Sequence, residues 1–417
     1  MQKYQNSPKI EFMYKNHLKH IQTLFDDATA QKKMAGVNLL IYKDGNEIGY
    51  FQSGYADINE KRLYDRNTIC RMYSMTKPVT AVAALILVEE GKLDLSEELG
   101  NYLPCFWNLQ VCYKGNDIRK SCRNILIQDL LNMTSGYTYG AWSDDSPIGE
   151  KMTSTLINEL NQDVIGENKI TTQQVAQRLA QIPVSFEPGT DYNYGLSADI
   201  LGAVIEKVSG EKLSEFMKKR IFEPLGMSDT AFFVPLEKQP RLSKVYKSYD
   251  VKDEKGNVTG KELELFTNCN LGIQDKMDHA PAFESGGAGL CSTIDDYMKF
   301  ALMLLNKGSF NGKRILQPKT VEFMQNSYLR DDLQQHFNQK MEHLSGYTYC
   351  NLVRVAFEPE KCKFITEKGE FGWDGWLGPY LSIDIKNQLA IVMTMQRTDS
   401  GTTDVTRKMK NIVYSSL

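Results

Sequence analysis

The stretch Cys70-Arg71-Met72-Tyr73-Ser74-Met75-Thr76-Lys77-Pro78, followed by the apolar run 79–88, decides how this chain is organised. The apolar run has almost no polar face, which predicts a helix that is buried on all sides. Gly91 is well placed to end that helix. Pro78 lacks the N–H that would bond the Ser74 carbonyl, so it belongs in a first turn, where such donors have no partner. The sequence therefore places Ser74 at the start of a buried helix.

Ser74 and Lys77 are the candidate nucleophile and its base. The first-turn N–H groups and the helix dipole favour negative charge on the serine oxygen, and the lysine lies one helical turn further on. Such a buried pair is the Ser-Lys variant of nucleophilic catalysis. Burial must then lower the pKa of the lysine from about 10.4 to about 7 or 8. The same spacing recurs at Ser209 and Lys212, but there it falls in a polar turn.

Length and composition exclude several classes of protein. A chain of 417 residues suffices for two or three average domains or for one large enzyme core. The net charge of −3 shows no basic excess, so we expect no nucleic-acid partner. No run of 18 apolar residues predicts a membrane span, and the polar N-terminus lacks a secretory leader. The eight cysteines have no zinc-binding spacing, so we expect no metal or cofactor. A cytoplasmic location fits best, unless a leader was trimmed from the chain.

The two ends of the chain carry matching patterns of helix and hairpin. The predicted elements are a helix at 10–33, a hairpin at 37–51, a second hairpin at 380–395 and a final helix at about 403–414. We therefore expect an α/β (α+β) fold in which both termini build one antiparallel sheet, covered by helices on both faces. The chain would be one unit, 1–417, with the sheet in about 1–93 and 280–417. The residues between, about 94–279, are predicted as a mostly helical inserted region.

Two features of the sequence allow more than one interpretation. Aromatic residues gather in the inserted region, where they predict either the lining of a substrate pocket or ordinary packing; they include Tyr102, Trp107, Tyr137, Tyr139 and Trp142. Tyr194 follows a Pro-Gly turn and precedes an apolar helix, which suits either a general base or a wall residue.

The glycines of Ser285-Gly286-Gly287-Ala288-Gly289 favour close backbone packing over phosphate binding. No Lys-Ser/Thr follows them at the spacing of a phosphate-binding loop.

Six segments in order resemble the serine β-lactamase and penicillin-binding protein superfamily, in particular the class C β-lactamase-like branch that includes family VIII carboxylesterases. The resemblance covers about 17–412. The segments are Ser74-Met75-Thr76-Lys77, 130–137, Pro188-Gly189 through Tyr194, 222–230, Ser285-Gly286-Gly287 through Thr293, and Trp373-Asp374-Gly375.

The resemblance implies a role for each matching residue. Ser74 would be the acylated nucleophile, Lys77 its proton partner, and Tyr194 the group that shuttles a proton to the leaving group. The backbone N–H groups of Ser74 and Trp376 would form the oxyanion hole, where each donor is typically worth about 3 to 4 kcal/mol. The substrate would be bound by the strand motif Trp373, Asp374 and Gly375, with Trp142 as a further wall residue.

Two departures from the family's pattern bear on specificity. Leu196 stands two positions after the tyrosine, where the family has asparagine, so a side-chain hydrogen-bond donor is missing. Trp373 stands where the family has lysine, so the cation that holds the carboxylate of penicillins or D-alanyl peptides is gone. An uncompensated carboxylate binds poorly, which favours a neutral ester over a β-lactam.

The sequence thus predicts a serine hydrolase that cleaves small esters through an acyl-enzyme. The alternatives are a β-lactamase or D-amino-acid peptidase, acting on a lactam or an amide, and a catalytically weak acyl-binding or penicillin-recognising protein. A Ser-His-Asp triad has little support because no Gly-x-Ser-x-Gly turn is present. The acyl and alcohol specificity and the oligomeric state stay open at this point.

Overall fold

The computed structural model describes residues 8–113, 117–141, 144, 146–163 and 170–417, with only the backbone described for 8–15 and 163. The strands are β1 (Gly36–Lys43), β2 (Asn46–Asp57), β3 (Arg62–Leu63), β4 (Cys70–Arg71), β5 (Gln110–Tyr113), β6 (Asp117–Lys120), β7 (Val245–Lys252), β8 (Val258–Phe266), β9 (Cys291–Ser292), β10 (Ser309–Phe310), β11 (Lys313–Arg314), β12 (Tyr347–Cys350), β13 (Val353–Ala356), β14 (Phe371–Gly372), β15 (Tyr380–Asp384) and β16 (Leu389–Met395).

The helices of the described residues are α1 (Pro8–Ala30), α2 (Thr76–Glu89), α3 (Leu99–Tyr102), α4 (Ile127–Leu131), α5 (Pro147–Met152), α6 (Asn158–Asp163), α7 (Thr172–Leu179), α8 (Ser197–Ser209), α9 (Leu213–Met217), α10 (Glu223–Leu225), α11 (Ile294–Leu305), α12 (Pro318–Asn326), α13 (Asp331–Lys340) and α14 (Asp404–Ser415). They include a run of seven, α4 to α10, between β6 and β7. Single π-helical turns join α5 to α6 and α9 to α10. No helix of the described residues is long and apolar enough to cross a membrane.

The central sheet takes its strands from both ends of the chain, which confirms the predicted fold class. Within the described residues it has eight strands in the order β12-β13-β14-β15-β16-β1-β2-β3. The strand β1 lies antiparallel to β16, with Val37 opposite Met395 and Lys43 opposite Leu389. The predicted N-terminal hairpin is β1 and β2, and its turn has left-handed backbone at Asp44 and Gly45.

Both faces of the central sheet are covered because alternate residues of its inner strands point to opposite sides. Leu39 and Ile391 pack on one side among the side chains of α1 and α14. Leu40 and Val392 pack on the other side, in the main core that also contains α2, α8 and α11. Both inner strands are therefore apolar at nearly every position rather than alternating with polar residues.

The helix α2 is buried over most of its length, as its apolar sequence predicts. Its residues from Thr76 to Leu87 are all buried. Pro78 lies in its first turn, and Gly91 follows its end with a left-handed φ of +65°. The structure refines one detail, since Ser74 lies in a separate 3-10 turn, Tyr73–Met75, that leads directly into α2.

Among the described residues of 94–279 are the helices α3 to α10 and two hairpins, β5 with β6 and β7 with β8. Their strands are largely exposed, so the apolar pattern that marks a buried strand is weak there. The division of the chain at about 94 and 279 stays a prediction.

Candidate active site

Ser74 is held on a strained turn between a short strand and α2. The strand β4 pairs with β9, and the N–H of Met72 donates to the Leu290 carbonyl at 2.8 Å. Tyr73 then takes a left-handed φ of +44°, which is unfavourable for an aromatic residue. Such backbone strain persists only where the surroundings enforce it, and it clusters at functional sites. The turn leaves the Ser74 N–H among the first donors of a helix, where no intrahelical acceptor is available.

The Lys77 amine lies directly beneath the Ser74 hydroxyl and is fully buried, with a relative exposure of 0%. Its Nζ donates to Ser74 Oγ at 3.1 Å, to the Tyr139 hydroxyl at 2.7 Å and to the Gly287 carbonyl at 2.9 Å. Burial lowers the pKa of Lys77 from 10.5 to about 7, although the negative charges of Asp199 and Asp374 act in the opposite direction. Near neutral pH, a substantial fraction of this amine is therefore uncharged and able to accept a proton.

The glycine-rich loop after residue 284 packs on the first turns of α2. The Gly286 carbonyl accepts from Thr80 Oγ1 at 2.6 Å. A Cβ on Gly286 would lie 2.4 Å from the Ala198 carbonyl oxygen, so only glycine allows this approach. The prediction of close backbone packing is confirmed. This packing places the Gly287 carbonyl where it accepts a hydrogen bond from Lys77.

Asp199, on α8, is a buried carboxylate beside this loop. Its Oδ1 accepts from Ser285 Oγ at 2.5 Å and from the Gly287 N–H at 3.1 Å. Its Oδ2 has no hydrogen-bond partner among the described residues. Burial raises the pKa of Asp199, while the Ser285 hydroxyl and the Lys77 charge act against that rise. This carboxylate is thus a source of negative potential at the lysine, one that sequence reasoning missed.

Tyr139 is a second residue that sequence reasoning did not separate from the other aromatic residues. Its hydroxyl accepts the shortest hydrogen bond of Lys77, and its ring lies 5.6 Å from that of Tyr194. Leu196, which replaces the family's asparagine, is buried and apolar. Leu196 therefore offers no side-chain hydrogen bond, whereas the Tyr139 hydroxyl gives Lys77 a side-chain partner.

Tyr194 lies next to Tyr139 beside the lysine, and the structure brings it together with Ser74. The Lys77 Nζ is 4.7 Å from the centre of the Tyr194 ring. The indole of Trp373 donates to the Tyr194 hydroxyl at 2.8 Å. Burial raises the pKa of Tyr194 well above 10, and hydrogen bonding with Ser74 and Trp373 only partly offsets this. The phenol is therefore protonated at neutral pH.

The strand motif at 373–375 passes close to the nucleophile turn because Gly375 has no side chain. A Cβ on Gly375 would lie 2.4 Å from the Met72 carbonyl oxygen. The rings of Tyr73 and Trp376 are in tilted contact, with their centres 5.1 Å apart and their planes at 58°. Within the described residues, the Trp376 N–H has no hydrogen-bond acceptor. In the same described part of the chain the Ser74 N–H also has no acceptor, so the two donors of the expected oxyanion hole lie on neighbouring segments.

A cavity of about 610 Å³ opens above Ser74. Its walls include the side chains of Tyr139, Tyr194, Trp373, Asp374 and Trp376. Two further residues of the wall, His343 and Asp399, belong to no sequence motif. Trp142, which we predicted as a wall residue, lies outside the described residues. No group of three or more His, Cys, Asp or Glu side chains in the described ranges is arranged to hold a metal ion.

Comparisons with known proteins agree on one family. The family model described as Beta-lactamase matches residues 21–413. Protein Rv1367c of Mycobacterium tuberculosis is 28% identical over 360 residues, which cover 83% of this chain and 81% of that protein. Esterase EstB of Burkholderia gladioli is 28% identical over 283 residues, 67% of this chain and 68% of that protein.

The fold is also that of a solved structure. EstCE1, a hydrolase with promiscuous acyltransferase activity, superposes with a TM-score of 0.77 at 24% identity, and the match covers 97% of this chain and 99% of EstCE1.

Proposed function

The chain belongs to the beta-lactamase family of serine hydrolases, and we propose that it hydrolyses carboxylic esters through an acyl-enzyme on Ser74. One observation carries this proposal: a fully buried lysine amine with a pKa of about 7 lies 3.1 Å from the serine hydroxyl. The names of two relatives, Esterase EstB and Lovastatin esterase of Penicillium rubens, support the same activity.

In the proposed acylation, the uncharged amine of Lys77 takes the proton of Ser74 Oγ while that oxygen attacks the ester carbonyl carbon. The carbonyl oxygen becomes an oxyanion, which the N–H groups of Ser74 and Trp376 stabilise. The carbon–oxygen bond to the alcohol then breaks, and the alcohol leaves with a proton. Water attacks the acyl-enzyme in the second step, which releases the acid and returns the proton to Ser74.

Tyr194 fits the transfer of a proton to the leaving alcohol better than the role of base. Its phenol is protonated at neutral pH because burial raises its pKa. The base role then falls to Lys77, and Tyr194 donates its proton and regains one from the lysine. This assignment chooses between the lysine and tyrosine bases that the sequence leaves open.

The cavity favours an ester over a β-lactam or a D-amino-acid peptide. Those two substrate classes carry a carboxylate, and Trp373 offers an indole N–H where the family has a lysine. That N–H already donates to Tyr194. The side chains of Asp374 and Asp399 would in addition repel an anion. We propose that Trp373, Asp374 and Gly375 contact the substrate from this side.

A panel of p-nitrophenyl esters, nitrocefin and D-alanyl peptides tests the proposal on the wild type and on Ser74→Ala. The chain supplies a matched control in Ser209→Ala, since Ser209 and the exposed Lys212 repeat the Ser-x-x-Lys spacing outside the cavity. We expect short-chain ester hydrolysis that is lost in Ser74→Ala and unchanged in Ser209→Ala.

Other outcomes would favour the alternatives. Ester hydrolysis that survives Ser74→Ala would refute the assignment of the nucleophile. Faster turnover of nitrocefin than of any ester would identify a β-lactamase, and labelling by a fluorophosphonate without any turnover would identify an acyl-binding protein.

We also propose a reducing compartment such as the cytoplasm. All eight cysteines lie in the described ranges and are free, and Cys70, Cys291 and Cys350 are buried. Free cysteines are the rule where thiols are kept reduced. Labelling of the native protein with a thiol reagent in a cell extract, compared before and after reduction, tests this proposal.

A further inference from the structure

The cavity above Ser74 has an unusual balance of charge for a site with a buried lysine at its base. Two carboxylates, Asp374 and Asp399, lie in its wall on the side of Trp376. The Asp374 carboxylate accepts a hydrogen bond from the Thr402 hydroxyl, and Asp399 accepts one from the Trp376 indole at 2.9 Å. Both donors are neutral, so neither negative charge is cancelled by its partner.

The arginines around the cavity make their hydrogen bonds with other groups, although Arg397 interacts electrostatically with Asp399 and Arg354 with Asp374. The Arg397 guanidinium donates to Ser400 Oγ at 2.8 Å and to the Lys33 carbonyl at 3.0 Å. Arg354 is buried behind the wall and pairs with Glu370. Among the described residues, neither Asp374 nor Asp399 forms an ion pair with a lysine or an arginine. The two carboxylates therefore present negative potential to the cavity.

His343, which also lines the cavity, does not offset that potential. Desolvation lowers its pKa below the ordinary value of 6.5, although Asp374 acts in the opposite direction. The ring is therefore mainly uncharged at neutral pH and offers one donor and one acceptor. The cavity wall thus holds two negative charges and no exposed positive one within the described residues.

Aromatic rings stand beside the carboxylates. The centres of the Tyr73 and Trp376 rings lie 5.1 Å apart, and those of the Tyr194 and Trp373 rings lie 5.4 Å apart. The faces of such rings attract cations, most strongly where water is excluded. A carboxylate next to an indole is therefore a favourable environment for an ammonium group and an unfavourable one for an anion.

We propose that the substrate is an ester that carries a positively charged nitrogen, which binds between Asp374, Asp399 and the indole of Trp376. This inference rests on the proposed ester hydrolysis at Ser74 and adds the charge class of the substrate to it. The ammonium is on the alcohol side, as in a choline ester, or on the acyl side, as in an amino-acid ester.

Two pairs of isosteric esters test the proposal. Acetylcholine and 3,3-dimethylbutyl acetate differ in the charge of the alcohol, and the ethyl esters of β-alanine and butyric acid differ in the charge of the acyl group. For each pair we take the ratio of kcat/KM, cationic over neutral, because a general loss of activity cancels in it. Asp374→Asn, Asp399→Asn and the double variant are compared with the wild type. The control is Asp250→Asn, an exposed carboxylate of β7 that pairs with Lys261.

We expect the ratio of at least one pair to fall by about tenfold for each substitution in the cavity, and to stay unchanged in Asp250→Asn. The pair that responds identifies the charged side of the ester. The fall should shrink at high salt, because the site is open to solvent. Ratios that do not change in the double variant would refute the inference, even if all four esters are hydrolysed.

A binding measurement keeps the two proposals separate. Ligand-detected NMR on Ser74→Ala, with acetylcholine and 3,3-dimethylbutyl acetate, and with the two ethyl esters, reports binding without turnover. The inference is supported if Ser74→Ala binds a cationic ester more tightly than its neutral partner and if this preference is lost when Asp374 and Asp399 are also replaced. This result would support the inference even in a protein that hydrolyses no ester. Equal binding within both pairs would overturn it.

Discussion

Replacing Asp199 with asparagine should move the acidic limb of the pH–rate profile to lower pH, so that the variant is relatively more active in acid than the wild type. In the wild type, kcat/KM should rise with pH through about 7, as the Lys77 amine loses its proton. The Asp199 charge favours the protonated lysine and so holds this pKa up. Asparagine has the same shape without the charge, and its Oδ1 keeps the bonds from Ser285 and Gly287.

The size of the shift is an order-of-magnitude figure from Coulomb's law for two charges that interact without a direct ion pair. Unit charges 4 Å apart interact by about 4 kcal/mol at an effective dielectric constant of 20, and by about half as much at twice that distance. Asp199 and Lys77 form no direct ion pair, because the lysine bonds Ser74, Tyr139 and the Gly287 carbonyl instead. The weaker figure applies, and about 2 kcal/mol corresponds to a shift of about 1.5 pH units.

The assay is kcat/KM for a p-nitrophenyl ester from pH 5 to 9, with Asp250→Asn as the control for a carboxylate outside the site. Thermal unfolding of both variants checks that they are folded. An acidic limb that stays in place, or moves to higher pH, in a folded Asp199→Asn variant would refute the electrostatic argument. A wild-type profile without any group near pH 7 would refute the role of Lys77 as base.

Three further outcomes are expected. Tyr139→Phe removes the acceptor 2.7 Å from the Lys77 amine, so kcat/KM should fall about tenfold to a hundredfold, or about 1.5 to 3 kcal/mol. An unchanged kcat/KM would contradict the role of Tyr139 in holding the lysine. Lys77→Met should flatten the pH dependence of the free energy of unfolding, because the pKa of Lys77 is about 7 in the folded state and 10.5 in the unfolded state. The wild type therefore gains about 4 kcal/mol of stability between pH 7 and 10 that the variant does not gain. If the free energies from urea unfolding of the two proteins run parallel over this pH range, the amine is not buried and neutral. Gly375→Ala places a methyl group 2.4 Å from the Met72 carbonyl oxygen, so kcat should fall more than tenfold, while circular dichroism should show little change in fold. Full activity would show that the oxyanion donors do not depend on this close approach.

Local sequence predicted the elements that depend on local chemistry. An apolar run with a proline in its first turn specifies α2, and an Asp-Gly turn specifies the hairpin of β1 and β2. The antiparallel sheet built from both ends also follows from matching patterns. In the same way, the nearness of Ser74 to Lys77 is a property of one helical turn, so three residues of spacing were sufficient to predict it.

The rest of the site comes from contacts between distant segments, which no local pattern records. Tyr139 and Asp199 reach the lysine from 62 and 122 positions away along the chain (139 − 77 and 199 − 77). His343 lines the cavity from a short 3-10 turn, Glu342–Leu344, and Asp399 lines it from a loop, both without a motif. Close approach by glycine is one signal that marks such contacts, and the sequence shows it in the glycine cluster at 286–289 and at Gly375.

The pairing of β1 with β16 has a consequence for how the protein reaches its native state during synthesis. The edge of β1 finds its partner only when residues 389–395 have been made, more than 340 residues after Lys43. At about 5 to 20 residues per second, that delay is roughly 20 to 70 s. Throughout this interval the hydrogen-bonding edge of β1 that pairs with β16 has no partner strand. We therefore expect nascent chains to depend on chaperones, and fragments that end before residue 389 to aggregate rather than to fold.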